Sequence, residues 1–311
     1  MIRIGVDFGG TKIEAAALDA SGAVAARERA ANPGGYEAAL QAVADLVRAV
    51  ESVAGPGATV GVGMPGSISP RTGLIRNANS TWLNGRDLSA DLERVLGRPV
   101  RLANDANCMA LSEAVDGAAA GAQGVVFGAI LGTGCGGGVV ANGKLIEGAN
   151  GLAGEWGHTP LPWATDQDKA PPCWCRRKAC LETYISGSGF EADYQRSTGR
   201  RRSAPLIVED ARGGERWATQ ALTRYIDRLA RGLAVVVDLI DPEVIVLAGG
   251  MSNVPELYER LPGAIGPYVF SDVWSARIAR AAHGDSSGVR GAAWLWPLDQ
   301  IRAGVRETAP A

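Results

Sequence analysis

A two-lobed α/β fold is what this sequence predicts, from a length of 311 residues, a strand, glycine turn and strand plan that occurs twice, and alternating strand and helix patterns after each copy. A chain of this length exceeds the usual single domain of roughly 100–200 residues, so two lobes sharing a cleft are expected. Apolar residues make up 46% of the chain and charged residues 21%, enough to bury a core in each lobe. Its 42 glycines are about twice the average share of ~7% and predict many tight turns.

The first copy opens with an apolar strand over Ile2–Val6, the turn Asp7-Phe8-Gly9-Gly10-Thr11, a second strand over Ile13–Leu18, and a third after Asp19–Gly22. A helix over Tyr36–Val53, a strand over Val60–Met64, a helix over Leu88–Leu96, a strand over Val100–Ala103 and a helix over Ala106–Val115 follow from the apolar periodicity. The second copy opens with Val125–Leu131, the turn Gly132–Gly138, Val139–Ala141 and Lys144–Ile146. Its helix and strand alternation is looser: a long helix near Trp217–Leu239, a break at Asp241-Pro242, and a buried strand over Val244–Leu247 ended by Gly249-Gly250. The lobe boundary is expected near Gly117–Gln123, with a helix around Val289–Trp296 returning to the first lobe. The polar stretch from Arg196 to Gly214 and the tail after Pro297 carry little signal.

Net charge is −2 with both signs interspersed, so no field favours a nucleic acid or an anionic membrane, and a small-molecule partner is expected. The stretch Gly117–Ala141 is uncharged and long enough to suggest a membrane helix, but its glycines favour buried strands and a turn. Met1–Gly5 runs directly into a strand pattern without the regions of a secretory leader, so a cytoplasmic protein is expected.

A glycine turn after a strand lets backbone N–H groups approach phosphate oxygens, and two such turns suit one triphosphate. Asp7, Gly9, Gly10, Thr11 and Lys12 form the first; Gly132, Thr133 and Gly134 form the second. Asp7 is suited to orient Mg²⁺ through water, and Thr11 and Thr133 to donate hydroxyls; an outward Lys12 needs no role of its own. Neither turn is a Walker loop, and neither opens a helix as a dinucleotide fingerprint does, which disfavours hydride chemistry. Asn104-Asp105 ends a strand and precedes a helix, where open α/β sheets bind ligands. An Asp there is either a helix cap or a catalytic group, and spacing leaves both open. With Asn77–Thr81 upstream, the polar set suits a polyol.

Cys173-x-Cys175-x₄-Cys180, with His158 fifteen residues before the first cysteine, is the donor set of a structural zinc site. Glu155 and Glu182 flank it and would bring carboxylates to the same place. Cys108 and Cys135 read as core and turn residues.

Together, Asp7–Thr11, Leu102–Asn107, Gly132–Gly134, Gly154-Glu155-Trp156-Gly157-His158 and the cysteine loop resemble the ROK family of bacterial sugar kinases, in particular its mannokinase/fructokinase type, across residues 1–297. The resemblance implies an actin/hexokinase-like (ribonuclease H-like) duplicated βββαβα fold with ATP and sugar in a central cleft, the lobes being 1–117 plus 289–311 and 118–288. It implies that Asp105 accepts the hydroxyl proton and that Asn79, Asn104, Glu155, His158 and Glu182 bind sugar. It further implies that Gly249 and Gly250 lie against adenosine, that His158 serves both zinc and sugar, and that the chain is a homodimer. The expected activity is ATP-dependent transfer to a hexose 6-hydroxyl, fructose first, then mannose or glucose. The alternatives are an N-acetylhexosamine kinase of the same family and a sugar-responsive regulator; a DNA-binding module has no room before the strand at Ile2. One departure stands out: the family pattern has glycine where this chain has Arg176 and Ala179. If those positions take positive φ, the zinc loop is strained by about 1–2 kcal/mol per residue.

Overall fold

The computed structural model describes residues 2–297; Met1 and the tail from 298 onward lie outside the described residues. In chain order the elements are strands β1 (Arg3–Phe8), β2 (Lys12–Leu18) and β3 (Val24–Ala31), helix α1 (Tyr36–Ala54), and strand β4 (Thr59–Met64). A small hairpin of β5 (Ser67–Ile68) and β6 (Ile75–Arg76) follows, then α2 (Leu88–Leu96), β7 (Val100–Asn104) and α3 (Asp105–Val115). The second series is β8 (Val125–Leu131), β9 (Cys135–Ala141), β10 (Lys144–Ile146), α4 (Glu182–Ile185), α5 (Gly187–Thr198), α6 (Ala204–Arg212), α7 (Arg216–Ile240), β11 (Val244–Ala248), α8 (Pro255–Ile265), β12 (Arg277–Arg280) and α9 (Ser287–Trp294). The uncharged stretch Gly117–Ala141 is thus mostly β8 and β9, and no helix among the described residues is long and apolar enough to cross a membrane.

These elements form two compact units. Among the described residues the first comprises 2–117, 147–153 and 285–297, and the second 118–146 and 154–284. Residues 147–153 and 285–288, expected with the second lobe, therefore belong to the first unit. Arg76 Nη2 donates to the Asn150 carbonyl at 3.4 Å and helps tie the former there.

The repeat read from the glycine turns is a repeat of topology. The first sheet has the order β3-β2-β1-β4-β7 and the second β10-β9-β8-β11-β12. In each, a three-stranded antiparallel meander continues into two parallel strands. This is the actin/hexokinase-like α/β fold.

In the first unit β1, β2 and β4 are buried almost throughout. Residues Val43, Val47 and Val50 of α1 join Ile4, Val6, Val60 and Val62 in one apolar core. Helix α9 packs against the same sheet through glycine: a Cβ on Gly5 would lie 1.8 Å from the Val289 carbonyl oxygen, and one on Gly61 1.9 Å from that of Ala292. Gly5 and Gly61 are register partners, so the helix lies flush on a surface without side chains. That close packing is why the C-terminal helix returns to the first sheet.

In the second unit the amphipathic α7 buries Leu222, Ile226, Leu229 and Leu233 against the cluster around Phe127, Trp156 and Ile245. Asp241 ends α7 in the left-handed region, followed by Pro242. Helix α6, in a stretch that carries little sequence signal, starts after the N-cap Ser203 with Pro205 in its first turn and buries Ala204, Ile207 and Val208. That short apolar stripe is obscured in the sequence by Arg200–Arg202 ahead of it.

Candidate active site

In the first unit the candidate residues gather at the carboxyl ends of parallel strands. Asp7 of β1 pairs with Gly63 of β4, and Met64 of β4 with Asn104 of β7. The two acidic positions therefore stand two strands apart, about 10 Å across the sheet edge. The turn beyond Asp7 is held by the Asn32 side-chain amide, which donates to the Gly9 carbonyl at 2.7 Å, and by the Asn32 N–H, which donates to the Thr11 carbonyl at 2.9 Å. A Cβ on Gly10 would come within 3.2 Å of Ser80 Oγ. The glycine turn and the polar stretch Asn77–Thr81 thus meet, with Asn79 exposed and its Oδ1 accepting the Ser80 N–H at 2.8 Å. Thr11 is exposed and Lys12 half-buried.

The helix-cap position beside Asp105 is taken by its neighbour. Asn104 is the N-cap of α3: its Oδ1 accepts the Ala106 N–H at 2.8 Å, and its Nδ2 donates to the Gly66 carbonyl at 2.8 Å. Asp105 stands in the first turn, exposed, with its own Oδ1 2.8 Å from the Ala106 N–H. Asn104, expected to bind sugar, has an atom engaged at each end of its amide, which fixes its orientation at the start of α3.

The Asp7 carboxyl is raised to about 6, first by burial, then by the charges of Asp105 and Glu14, against the opposing pull of Lys12 and Arg29. A Cβ on Gly288 would lie 3.3 Å from that carboxyl, so the start of α9 forms a side-chain-free wall beside it. The charge of Asp105 thus reaches the Asp7 carboxyl from two strands away.

A stability consequence follows. The folded carboxyl titrates above the ordinary value of 3.8, so the folded state binds a proton that the unfolded chain releases. Asp7 therefore subtracts stability as pH rises from about 4 to about 6, and the deficit persists above. Asp7→Asn is expected to stabilise the protein by about 1–3 kcal/mol at pH 7.5 and by little at pH 4. Urea unfolding at the two pH values measures this, and an equal effect at both would contradict it.

In the second unit the turn Gly132–Gly134 joins β8 to β9, with Thr133 exposed. Gly187 N–H donates to the Gly132 carbonyl at 2.7 Å and Ser188 Oγ to the Thr133 carbonyl at 2.5 Å. Gly187 and Ser188, which sequence reasoning missed, thus brace this turn. Their one signal is the serine and glycine alternation at the start of α5. Gly249, at φ 81, lies so close that a Cβ would stand 2.7 Å from the Leu131 carbonyl carbon, while Gly250 is exposed.

Glu182 links this turn to the cysteine loop: its Oε2 accepts the Cys135 N–H at 3.0 Å and its Oε1 the Trp174 indole N–H at 2.7 Å. The segment Gly154–His158 lies flush against β9. A Cβ on Gly154 (φ +88) would be 2.2 Å from the Gly137 carbonyl oxygen, and one on Gly157 2.3 Å from that of Cys135. Trp156 anchors the segment by donating to the Gly136 carbonyl at 3.0 Å and packing edge-on against Phe127. Glu155 is left exposed and His158 half-buried.

The ligand atoms of His158, Cys173, Cys175 and Cys180 all lie within 4.8 Å of one another. Cys175 and Cys180 Sγ are 3.5 Å apart, and Cys173 Sγ is 3.7 Å from His158 Nδ1. Around a tetrahedral zinc ion, ligand atoms stand roughly 3.4–3.8 Å apart, so the set fits that ion. Burial and the neighbouring thiols push Cys180 up to about 12, the behaviour of a donor set that needs a cation before all its members ionise.

Arg176 at φ 71 and Ala179 at φ 58 both occupy the left-handed region. The strain expected from the sequence is therefore present in the loop that carries three of the four ligands. Arg176→Gly with Ala179→Gly is expected to tighten zinc binding about tenfold, since each relieves about 1–2 kcal/mol of strain and returns part of it to unfolded-state entropy. Competition against a chelator measures the change; unaltered affinity would show that the loop tolerates these residues without cost.

The ROK family model matches residues 3–298. The chain is 41% identical over 297 residues to N-acetyl-D-glucosamine kinase of Vibrio cholerae serotype O1, covering 94% of this chain and 98% of the relative. It is 40% identical over 302 residues to N-acetyl-D-glucosamine kinase of Pectobacterium atrosepticum, covering 95% and 99%. Among solved structures, a ROK hexokinase from Thermus thermophilus has a TM-score of 0.86 at 32% identity, covering 98% of this chain and 100% of that chain. A ROK family glucokinase from Streptomyces griseus, in complex with glucose and AMPPNP, has a TM-score of 0.76 at 26% identity, covering 95% and 99%.

Proposed function

The chain belongs to the ROK family and is a sugar kinase, and from that premise we propose that it transfers the γ-phosphoryl group of ATP to the 6-hydroxyl of an N-acetylhexosamine, N-acetyl-D-glucosamine foremost. The observation that carries this reading is the 40–41% identity to N-acetyl-D-glucosamine kinases along almost their whole length. Fructose, expected first from the sequence, becomes the second reading, favoured by the stretches that resemble the mannokinase/fructokinase type.

In this reading Asp105 orients the 6-hydroxyl and takes its proton as the new O–P bond forms and the bond from the γ-phosphorus to the ADP oxygen breaks. Phosphoryl transfer needs alignment and charge neutralisation more than a strong base, which suits an exposed carboxylate held by the capped start of α3. Asn79, Glu155, His158 and Glu182 bind the sugar, with Asn104 holding the turn from strand to helix. The glycine turns Gly9–Gly10 and Gly132–Gly134, with Thr11, Thr133 and Lys12, hold phosphate, and Gly249 and Gly250 take the adenosine. Mg²⁺, when bound near Asp7, neutralises charge that develops on the phosphate oxygens. Zn²⁺, when bound by His158, Cys173, Cys175 and Cys180, cross-links the loop. ATP and reduced thiols both fit the cytoplasm, and a homodimer is part of the same proposal.

ADP release with Mg-ATP over N-acetylglucosamine, N-acetylmannosamine, fructose, glucose and mannose tests the reading. The highest kcat/KM is expected for N-acetylglucosamine. A higher value for fructose installs the second reading, and release with none of the sugars overturns both.

A further inference from the structure

The indole of Trp174 joins Glu182 and His158, the two groups of the cysteine loop region read above as sugar contacts. It sits between Cys173 and Cys175 on the outer side of the loop and is 61% exposed, a poor place for a large aromatic unless contacts hold it. Two do: its Nε1–H donates to Glu182 Oε1 at 2.7 Å, and its ring meets the His158 imidazole edge-on, with centroids 4.8 Å apart at 83°. The other Glu182 oxygen is taken by the Cys135 N–H at 3.0 Å. The carboxylate is therefore gripped at both ends, by backbone beside the glycine turn and by a side chain of the cysteine loop. A carboxylate offers about four acceptor sites; the Cys173 thiol also points at Glu182 Oε1 from 3.9 Å, and the direction of the carboxylate is set mainly by the two shorter N–H bonds.

We propose that Trp174 is a positioning residue for the sugar. Its N–H aims the Glu182 carboxylate, and its ring holds the His158 imidazole, so the geometry of the cysteine loop reaches the hydroxyls of the substrate. The inference rests on the reading of Glu182 and His158 as sugar contacts. The indole also borders an open cavity of about 350 Å³ lined by Pro172, Ser186, Ser188 and Arg196 among others, so replacing it leaves the apolar core of its unit undisturbed.

Trp174→Phe keeps an aromatic edge and removes the donor, and combining it with Glu182→Gln closes a double-mutant cycle. Trp174→Phe is expected to raise the sugar KM about tenfold, the usual scale for a lost hydrogen bond to a charged group. The ATP KM, kcat, bound zinc and melting temperature are expected to stay near wild type. In the Glu182→Gln background the same change is expected to add little, because it acts through that carboxylate. An unchanged sugar KM, additive effects in the cycle, or a KM that rises only in step with lost zinc and melting temperature would each overturn the proposal. Wild type that phosphorylates no sugar removes the kinase reading and this inference with it, whereas active wild type with an indifferent Trp174→Phe removes this inference alone.

Discussion

Asp105→Asn is expected to lower kcat about 10³-fold with N-acetylglucosamine and ATP, while the KM of each substrate changes only a few-fold. A positioned base contributes typically 10²–10⁴-fold, and the substitution removes proton acceptance with little loss of shape. The cap of α3 survives, because Asn104 and not Asp105 is the capping residue. The amide oxygen that the substitution introduces can still accept the Ala106 N–H that Asp105 Oδ1 now meets at 2.8 Å. Loss of activity therefore reports on chemistry and not on folding, a separation that an alanine replacement would blur. Steady-state ADP release, with the melting temperature as control, measures it. A kcat within fivefold of wild type would remove Asp105 from the role of base.

The second large effect is expected at the cysteine loop. Wild type purified without chelator is expected to carry about one equivalent of zinc, and Cys180→Ser less than about a tenth, since a tetrahedral site short of one thiolate binds far more weakly. Backbone bonds tie the loop to itself: among them, the Cys173 N–H donates to the Arg177 carbonyl at 2.8 Å, and the Ala179 N–H to the Pro171 carbonyl at 2.9 Å. Two left-handed residues strain it. Without the ion it is expected to release Trp174, and through it Glu182 and His158, so the sugar KM rises more than tenfold while the ATP KM holds. Metal analysis beside the two KM values checks this. Metal-free wild type with full activity would defeat it.

Much of the site was legible because its signals are local. A glycine turn after an apolar strand, a carboxylate between strand and helix, and three cysteines close in sequence each declare a backbone shape or a donor set within a few residues. The less legible parts depend on residues far apart. Gly288 faces Asp7 only because α9 lies on Gly5 and Gly61. Gly187 and Ser188 brace Gly132 and Thr133 only because α5 begins beside β8. The Asn104 amide is oriented only because Ala106 and Gly66 meet its two ends. Trp174, an exposed aromatic among cysteines, carried no functional signal until Glu182 was found 2.7 Å from its indole nitrogen.

By itself the sequence determined the strand and helix pattern of the two halves, the paired turns and the chemistry of the metal donors, since hydrophobic period, turn residues and ligand type are properties of short segments. Only the tertiary structure decided which charges face one another and which polar atoms are already engaged. Asp7 feels Asp105, and Glu182 is gripped from two sides, because strand order and loop closure bring together groups that the chain itself keeps far apart.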